Sequence, residues 1–117
     1  MKARLVAVNA ELEKVSILKA VYRMAVPEGW DDWPVAVWFR NGGVTAGDTD
    51  GGASYQSVRI LILGPDYGQV DDAVEGVIRR LKQADLLAND PDPPTDILHE
   101  DMEPQMLGSE LLVTVSP

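Results

Sequence analysis

Residues 56–63 read QSVRILIL and give the clearest strand pattern in the sequence. Its β-branched and apolar residues are followed by the chain breakers Gly64 and Pro65. Successive side chains of a strand point to opposite faces, so the run has one apolar face and one face that mixes Arg59 with Leu61. The pattern predicts a β-strand.

Two further runs, residues 34–40 (PVAVWFR) and 110–115 (ELLVTV), alternate in the same way. The predicted core face consists of Val35, Val37, Phe39, Val58, Ile60, Ile62, Leu111, Val113 and Val115. The predicted mixed face consists of Ala36, Trp38, Arg40, Arg59, Leu61, Leu63, Leu112 and Thr114. The mixed face carries too much Trp and Leu for a wetted surface, so we expect another protein subunit to cover it.

Helical spacing predicts two helices. Over residues 3–24 apolar side chains recur every three or four positions, with no Gly or Pro before Pro27. Residues 69–87 show the same spacing, and Gly76 within them suggests close packing on the sheet.

The remaining segments complete a single α+β domain over residues 1–117. Residues 41–54 contain five glycines and predict a long flexible loop. A weak strand is predicted at residues 97–102. We expect a mixed or antiparallel sheet of about four strands, with both helices on one face.

Composition narrows the function classes. The chain has 117 residues, a formal net charge of −9 and no cysteine. The negative charge disfavours nucleic-acid binding, and no apolar run is long enough for a membrane span. The N-terminal sequence is read as mature protein rather than a signal peptide, since acidic residues interrupt its apolar stretch.

Sequence motifs give little support for enzyme chemistry. The single histidine, His99, lies in an acidic segment, and no serine has the context of a nucleophile. Asp48 and Asp50 resemble the start of a calcium loop, but Arg59 stands where the bidentate Glu is required. The glycine-rich loop has no lysine for phosphate. We therefore expect a non-enzymatic protein without cofactor or metal.

Three tryptophans, Trp30, Trp33 and Trp38, surround the first predicted strand. Trp is enriched at binding hot spots, although core packing explains such a cluster equally well. Trp38 is the preferred interface anchor, and Trp33 is assigned to the core. The predicted subunit interface comprises Trp38, Arg40, Arg59, Leu61 and Leu112. On this interpretation Trp38→Asp abolishes oligomers and leaves a folded monomer.

The order of these segments resembles the tail-terminator proteins of long-tailed bacteriophages. The matching pieces are residues 3–24, 31–39, 41–54, 55–63, 64–65, 70–87 and 110–115. The resemblance is one of order and spacing across nearly the whole chain. It implies a ring subunit, expected to be a hexamer, that caps the tail tube and joins it to the head.

The resemblance also implies partners and location. The partners would be further copies of the chain, the tail tube protein and the head–tail connector protein. The subunit would occupy the tail or neck of the virion, after assembly in the host cytoplasm. Asp48 and Asp50 would face the tube or the lumen, and DNA would pass through without specific binding, repelled by an acidic lining.

Two alternatives remain open at this stage. The first is a small acidic inhibitor, similar to a DNA mimic, that blocks a nucleic-acid-binding host protein. The second is a monomeric ligand-binding α+β domain with a closed apolar pocket. Related neck proteins are alternatives within the virion assembly class.

Overall fold

A computed structural model describes residues 2–45, 54–99 and 106–116. The elements in chain order are α1 (Lys2–Glu13), β1 (Ala20–Arg23), β2 (Val35–Thr45), β3 (Ser54–Gly64), α2 (Tyr67–Gln83), β4 (Thr95–His99) and β5 (Met106–Val115). These two helices and one mixed sheet confirm the predicted α+β class. Asp48 and Asp50 lie outside the described residues.

The sheet has five strands in the order β1-β2-β3-β5-β4, against the predicted four or so. β1 runs parallel to β2, and every other neighbouring pair is antiparallel. Among the described residues β1 and β4 are therefore the two edge strands. β3, predicted as a strand, is the central strand of the sheet and pairs along its length with β2 and β5.

The prediction of one helix over residues 3–24 is wrong. α1 ends at Glu13, and the backbone N–H of Val15 bonds to the carbonyl oxygen of Leu12, which tightens the last turn. The backbone N–H of Lys19 then bonds to the carbonyl oxygen of Pro34, and the chain continues as β1. Apolar side chains of the turn and of β1 face the same core as α1, so their spacing mimics a longer helix.

The strands extend beyond their predicted ends. β2 passes Arg40 through a register shift, and Gly42 within it has a φ of 90°. Residues 41–45 are consequently strand, whereas the sequence predicted them as loop. β5 begins at Met106, inside a segment predicted as a turn. In β2, a β-bulge between Arg40 and Gly43 takes up one extra residue, and the pairing with β3 then resumes. The alternation of residues 34–40 gives no sign of this bulge.

α2 begins after an N-cap residue, Asp66. The side chain of Asp66 accepts a hydrogen bond from the backbone N–H of Gln69 at 3.0 Å, as a helix N-cap does. Arg80 and Lys82 lie in the last turn, where they interact favourably with the helix dipole. The buried stripe of this helix contains Val70, Ala73, Val74, Val77 and Leu81.

The core lies between the two helices and one face of the sheet. Its sheet-derived members are Ala36, Trp38, Val58, Ile60, Ile62, Leu111, Val113 and Val115. Leu5, Val8 and Leu12 of α1 pack in the same cluster with the stripe of α2. Both helices therefore cover one side of the sheet, which we call the helix side.

Gly76 marks a close approach of α2 to another part of the chain. The approach is to the turn that follows α1, whereas the sequence suggested close packing on the sheet. A Cβ atom at Gly76 would lie 3.0 Å from Cγ1 of Val15, which follows α1. Val15 is buried and its side chain is stiff at χ1, so it has little room to move. The missing Cβ lets α2 pack tightly against the end of α1.

Gly76→Ala tests this packing. In the natural background we expect a loss of about 1 kcal/mol in the free energy of unfolding, because the overpacking outweighs the gain in helix propensity. In a Val15→Ala background the clash is gone, so the same change should stabilise by about 1 kcal/mol. Urea unfolding of the four proteins measures both values, and equal effects in the two backgrounds would contradict the contact.

Candidate functional site

The side of the sheet opposite the helices carries the most suggestive surface. We call it the open face and define it by Phe39, Arg59, Leu61, Glu110 and Leu112. Phe39 pairs with Arg59 and Arg59 with Leu112, while Leu61 lies opposite Glu110. Strand alternation thus brings residues from three strands together on one side.

The open face is apolar around one ion pair. Arg59 Nε lies 2.9 Å from Glu110 Oε1, and the Arg59 guanidinium lies 5.8 Å from the centre of the Phe39 ring. The cation is therefore compensated within its own subunit. Leu112 has 38% of its surface exposed, and Phe39 and Leu61 are half-buried. Such a patch suits protein contact better than solvent.

The opposite end of the same side is already closed. Val35 and Val37 are buried although they lie outside the main core cluster. Next to them in the register, Tyr22 of β1 meets Trp30 edge-to-face, with the ring centres 5.3 Å apart. The indole N–H of Trp30 donates to the carbonyl oxygen of Asp32 at 2.6 Å. Phe39, Leu61 and Leu112 lie toward the other end of this side, where Leu112 is the most exposed of them.

The predicted interface residues divide between the two sides. Arg59, Leu61 and Leu112 lie together on the open face, as the sequence indicated. Trp38 and Arg40 do not, because Trp38 pairs with Ile60 and Arg40 with Val58, both of which face the helices. The expected placement of these two side chains beside Leu61 is therefore wrong, and whether the remaining set forms an interface is still a prediction.

Trp38 is a core residue. Only 3% of its surface is exposed, and its indole N–H donates to Asn9 Oδ1 of α1 at 2.8 Å. The guanidinium of Arg23 stacks 4.9 Å from the centre of its ring. Trp38 thus joins the sheet to α1 and closes the edge of the core.

Trp38→Asp is consequently expected to unfold the protein rather than release a folded monomer. Removing a buried Trp side chain costs about 3–5 kcal/mol, and a buried carboxylate adds to that loss. Leu112→Asp on the open face should keep a cooperative thermal transition. Circular dichroism and denaturant unfolding of both variants separate the two cases, and a stable folded Trp38→Asp monomer would refute the assignment.

A shallow groove lies where the end of α1 meets α2. Lys14, Asp72, Arg79 and Arg80 line it, together with Val15, Ser16, Ile17 and Gly76. Glu11 occupies its edge, with Oε2 2.7 Å from Lys14 Nζ and Oε1 3.1 Å from Arg80 Nη2. Glu11 thus links Lys14, just after α1, to Arg80 of α2, and these ion pairs fasten the end of α1 to α2.

The contacts of Glu11 lower the pKa of its carboxyl. The hydrogen bond from Lys14 is the largest cause, and the charge of Arg80 adds to it. A carboxyl with a depressed folded pKa contributes stability above its unfolded pKa, and this contribution is lost as the pH falls through the folded value.

Glu11→Gln should therefore be less stable than the natural protein at pH 7, and the difference should shrink as the pH falls from the unfolded carboxyl pKa of about 4.3 through the lower folded pKa. Thermal unfolding of both proteins between pH 3 and 7 provides the test. The exposed Glu75→Gln on α2 controls for the loss of one carboxylate from a helix surface. A difference that stays constant over this pH range would show that the Glu11 charge is not responsible.

His99 and a metal site were the other candidates for chemistry in the sequence. His99 belongs to β4, and within residues 2–45, 54–99 and 106–116 no group of three or more potential ligands could hold a metal ion. Neither helix of this described part has the length and apolar character needed to cross a membrane.

The sequence could not reveal the Trp38–Asn9 contact, because it joins two elements through a single long-range hydrogen bond.

Comparison with known proteins adds a structural likeness. No protein-family model matches the chain, and no curated protein sequence matches it. Among solved structures, it resembles a chain of "Virion of native gene transfer agent (GTA) particle", with a TM-score of 0.56 and 14% sequence identity. The match covers 94% of this chain and 92% of that chain, so it concerns whole domains. At this identity the likeness shows a shared fold.

Proposed function

We propose that this protein is a structural subunit of a phage-like virion, and more specifically a tail terminator that forms a homo-oligomeric ring. Its role is stoichiometric: the ring caps the tail tube and joins it to the head. The observation that carries the proposal is the end-to-end fold match to a chain of a gene transfer agent particle. Sequence order, which resembles tail terminators, points independently to the same class.

The open face supports an assembly role. A single subunit leaves Leu112 partly exposed beside Phe39 and Leu61, with the Arg59 charge already compensated by Glu110. Burial of this patch against another subunit would remove apolar surface from water. It would leave no unpaired charge in the interface, because the ion pair between Arg59 and Glu110 remains intact.

The proposed neighbours are further copies of the chain within the ring, the tail tube protein on one side and the head–tail connector on the other. The net charge of −9 suits a ring through which DNA passes, because like charge limits adhesion to phosphates. Ring closure requires that each copy present two different, complementary patches.

Light scattering on a sizing column, over a wide concentration range and at two salt levels, tests the ring. We expect a hexamer-sized mass, or a climb toward it with concentration. Leu112→Asp should shift assembly to at least about tenfold higher concentration, since it places a charge in a buried contact. Val6→Asp is the matched control, because Val6 is 60% exposed on α1, away from the open face.

A strict monomer at every concentration would contradict the ring. The acidic charge would then favour the alternative function, an inhibitor of a nucleic-acid-binding host protein. Salt-sensitive capture of a basic, nucleic-acid-binding protein by the natural chain would support that alternative. Equal loss of assembly in Val6→Asp and Leu112→Asp would instead exclude the open face as the specific contact.

A further inference from the structure

We propose that the ring closes by β-strand pairing, with the β1 edge of one copy adding to the β4 edge of the next. This inference rests on the proposed ring function and specifies its interface. Among the described residues, no strand pairs with the outer side of β1 or β4. Such edges present unpaired backbone N–H and C=O groups, which another strand can complete.

The sheet topology dictates the direction of this pairing. β1 and β2 are parallel, and each later step, from β2 to β3, β5 and β4, reverses direction. β1 and β4 of one subunit therefore run in opposite directions. A neighbour that continues the sheet with its helices on the same side keeps the strand direction of the first copy. Its β1 must then lie antiparallel to β4, the more stable arrangement per residue.

One register matches every residue of β1. With Arg23 opposite Asp96, Tyr22 lies opposite Ile97, Val21 opposite Leu98, and Ala20 opposite His99. The sides agree as well: Arg23 stacks on Trp38 of the helix side, and Asp96 Oδ2 lies 3.4 Å from the hydroxyl of Tyr67 on α2. A slip by one residue would place these charges on opposite sides of the sheet.

Charge complementarity selects this pairing over its competitors. The exposed Lys19 and Arg23 place two positive charges along the β1 edge, whereas the exposed Asp96 lies on β4 and the exposed Asp92 shortly before it. Two β1 edges would repel each other, and so would two β4 edges. Unlike edges attract, which favours the heterologous contact that closes a ring over a two-fold dimer.

Three exposed apolar side chains lie at or near the two edges that this pairing brings together. Of the four large hydrophobic side chains exposed in the described residues, Met24 directly follows β1, Tyr67 lies beside β4, and Leu112 is on β5 next to β4. Antiparallel addition brings Met24 of the neighbour past Thr95 toward the open face near Leu112. The same contact therefore covers part of the open face.

Cysteine cross-linking tests the register directly, because the natural chain has no cysteine. The double variants Ala20→Cys/His99→Cys and Tyr22→Cys/Ile97→Cys each place two cysteines opposite one another between copies. We expect a ladder of covalent multimers under oxidising conditions, ending at the ring. Tyr22→Cys/Asp96→Cys is the slipped control, with side chains on opposite sides, and should give no ladder.

Charge exchange tests the partner choice. Arg23→Glu alone and Asp96→Arg alone should each weaken association at least about tenfold, because like charges meet at the interface. A mixture of the two variants should recover natural association, since each altered edge then meets an opposite charge. Arg79→Glu and Glu75→Arg are matched controls, as both residues are exposed on α2, outside both edge strands.

The outcomes separate this inference from the function on which it rests. A ring-sized mass without cross-links in either designed pair, and with no effect of charge exchange, overturns edge pairing and leaves the ring intact. A strict monomer overturns both. Ladders from the designed pairs, no ladder from the slipped pair, and rescue by mixing together establish the interface.

Discussion

The register that joins β2, β3 and β5 determines which surfaces this protein buries and which it leaves for contact. Trp38 pairs with Ile60, and Ile60 with Leu111, so these three side chains enter the core beneath the helices. The indole of Trp38 then donates to Asn9, which locks α1 onto the sheet. Because side chains alternate, this choice assigns Phe39 to the other side together with its cross-strand neighbours. The open face is thus a direct consequence of core packing.

Much of this arrangement is readable from the sequence, and the failure in β2 has a clear physical cause. β3 and β5 each have one face more polar than the other, so their orientation was predicted correctly. Residues 35–39 are apolar on both faces, and alternation alone cannot decide which of them meets the helices. The helix side of β2 carries the small Ala36 and the large Trp38, and the indole N–H of Trp38 donates to Asn9 of α1.

The missed strand β1 illustrates a second limit. Val15, Leu18 and Val21 continue the spacing of α1, since a turn and a strand packed on the same core bury side chains at similar intervals. Helical periodicity therefore cannot locate the end of α1. The deciding contact is the backbone bond from Lys19 to the carbonyl oxygen of Pro34, which adds β1 to a sheet formed by residues far along the chain. Local sequence carries no signal for that pairing.

The parallel pairing of β1 with β2 also determines the relative direction of the two edge strands, β1 and β4. Had β1 formed an ordinary antiparallel hairpin with β2, both edge strands would run in the same direction, and a continued sheet would require parallel pairing. The crossover between Arg23 and Val35 reverses that relation, so the edges are antiparallel and can match residue by residue. The same crossover carries the exposed Met24 beside β1 and packs Trp30 against Tyr22. The longer connection costs chain entropy, and its consequence is a sheet whose two edges have the relative orientation that the proposed edge pairing needs.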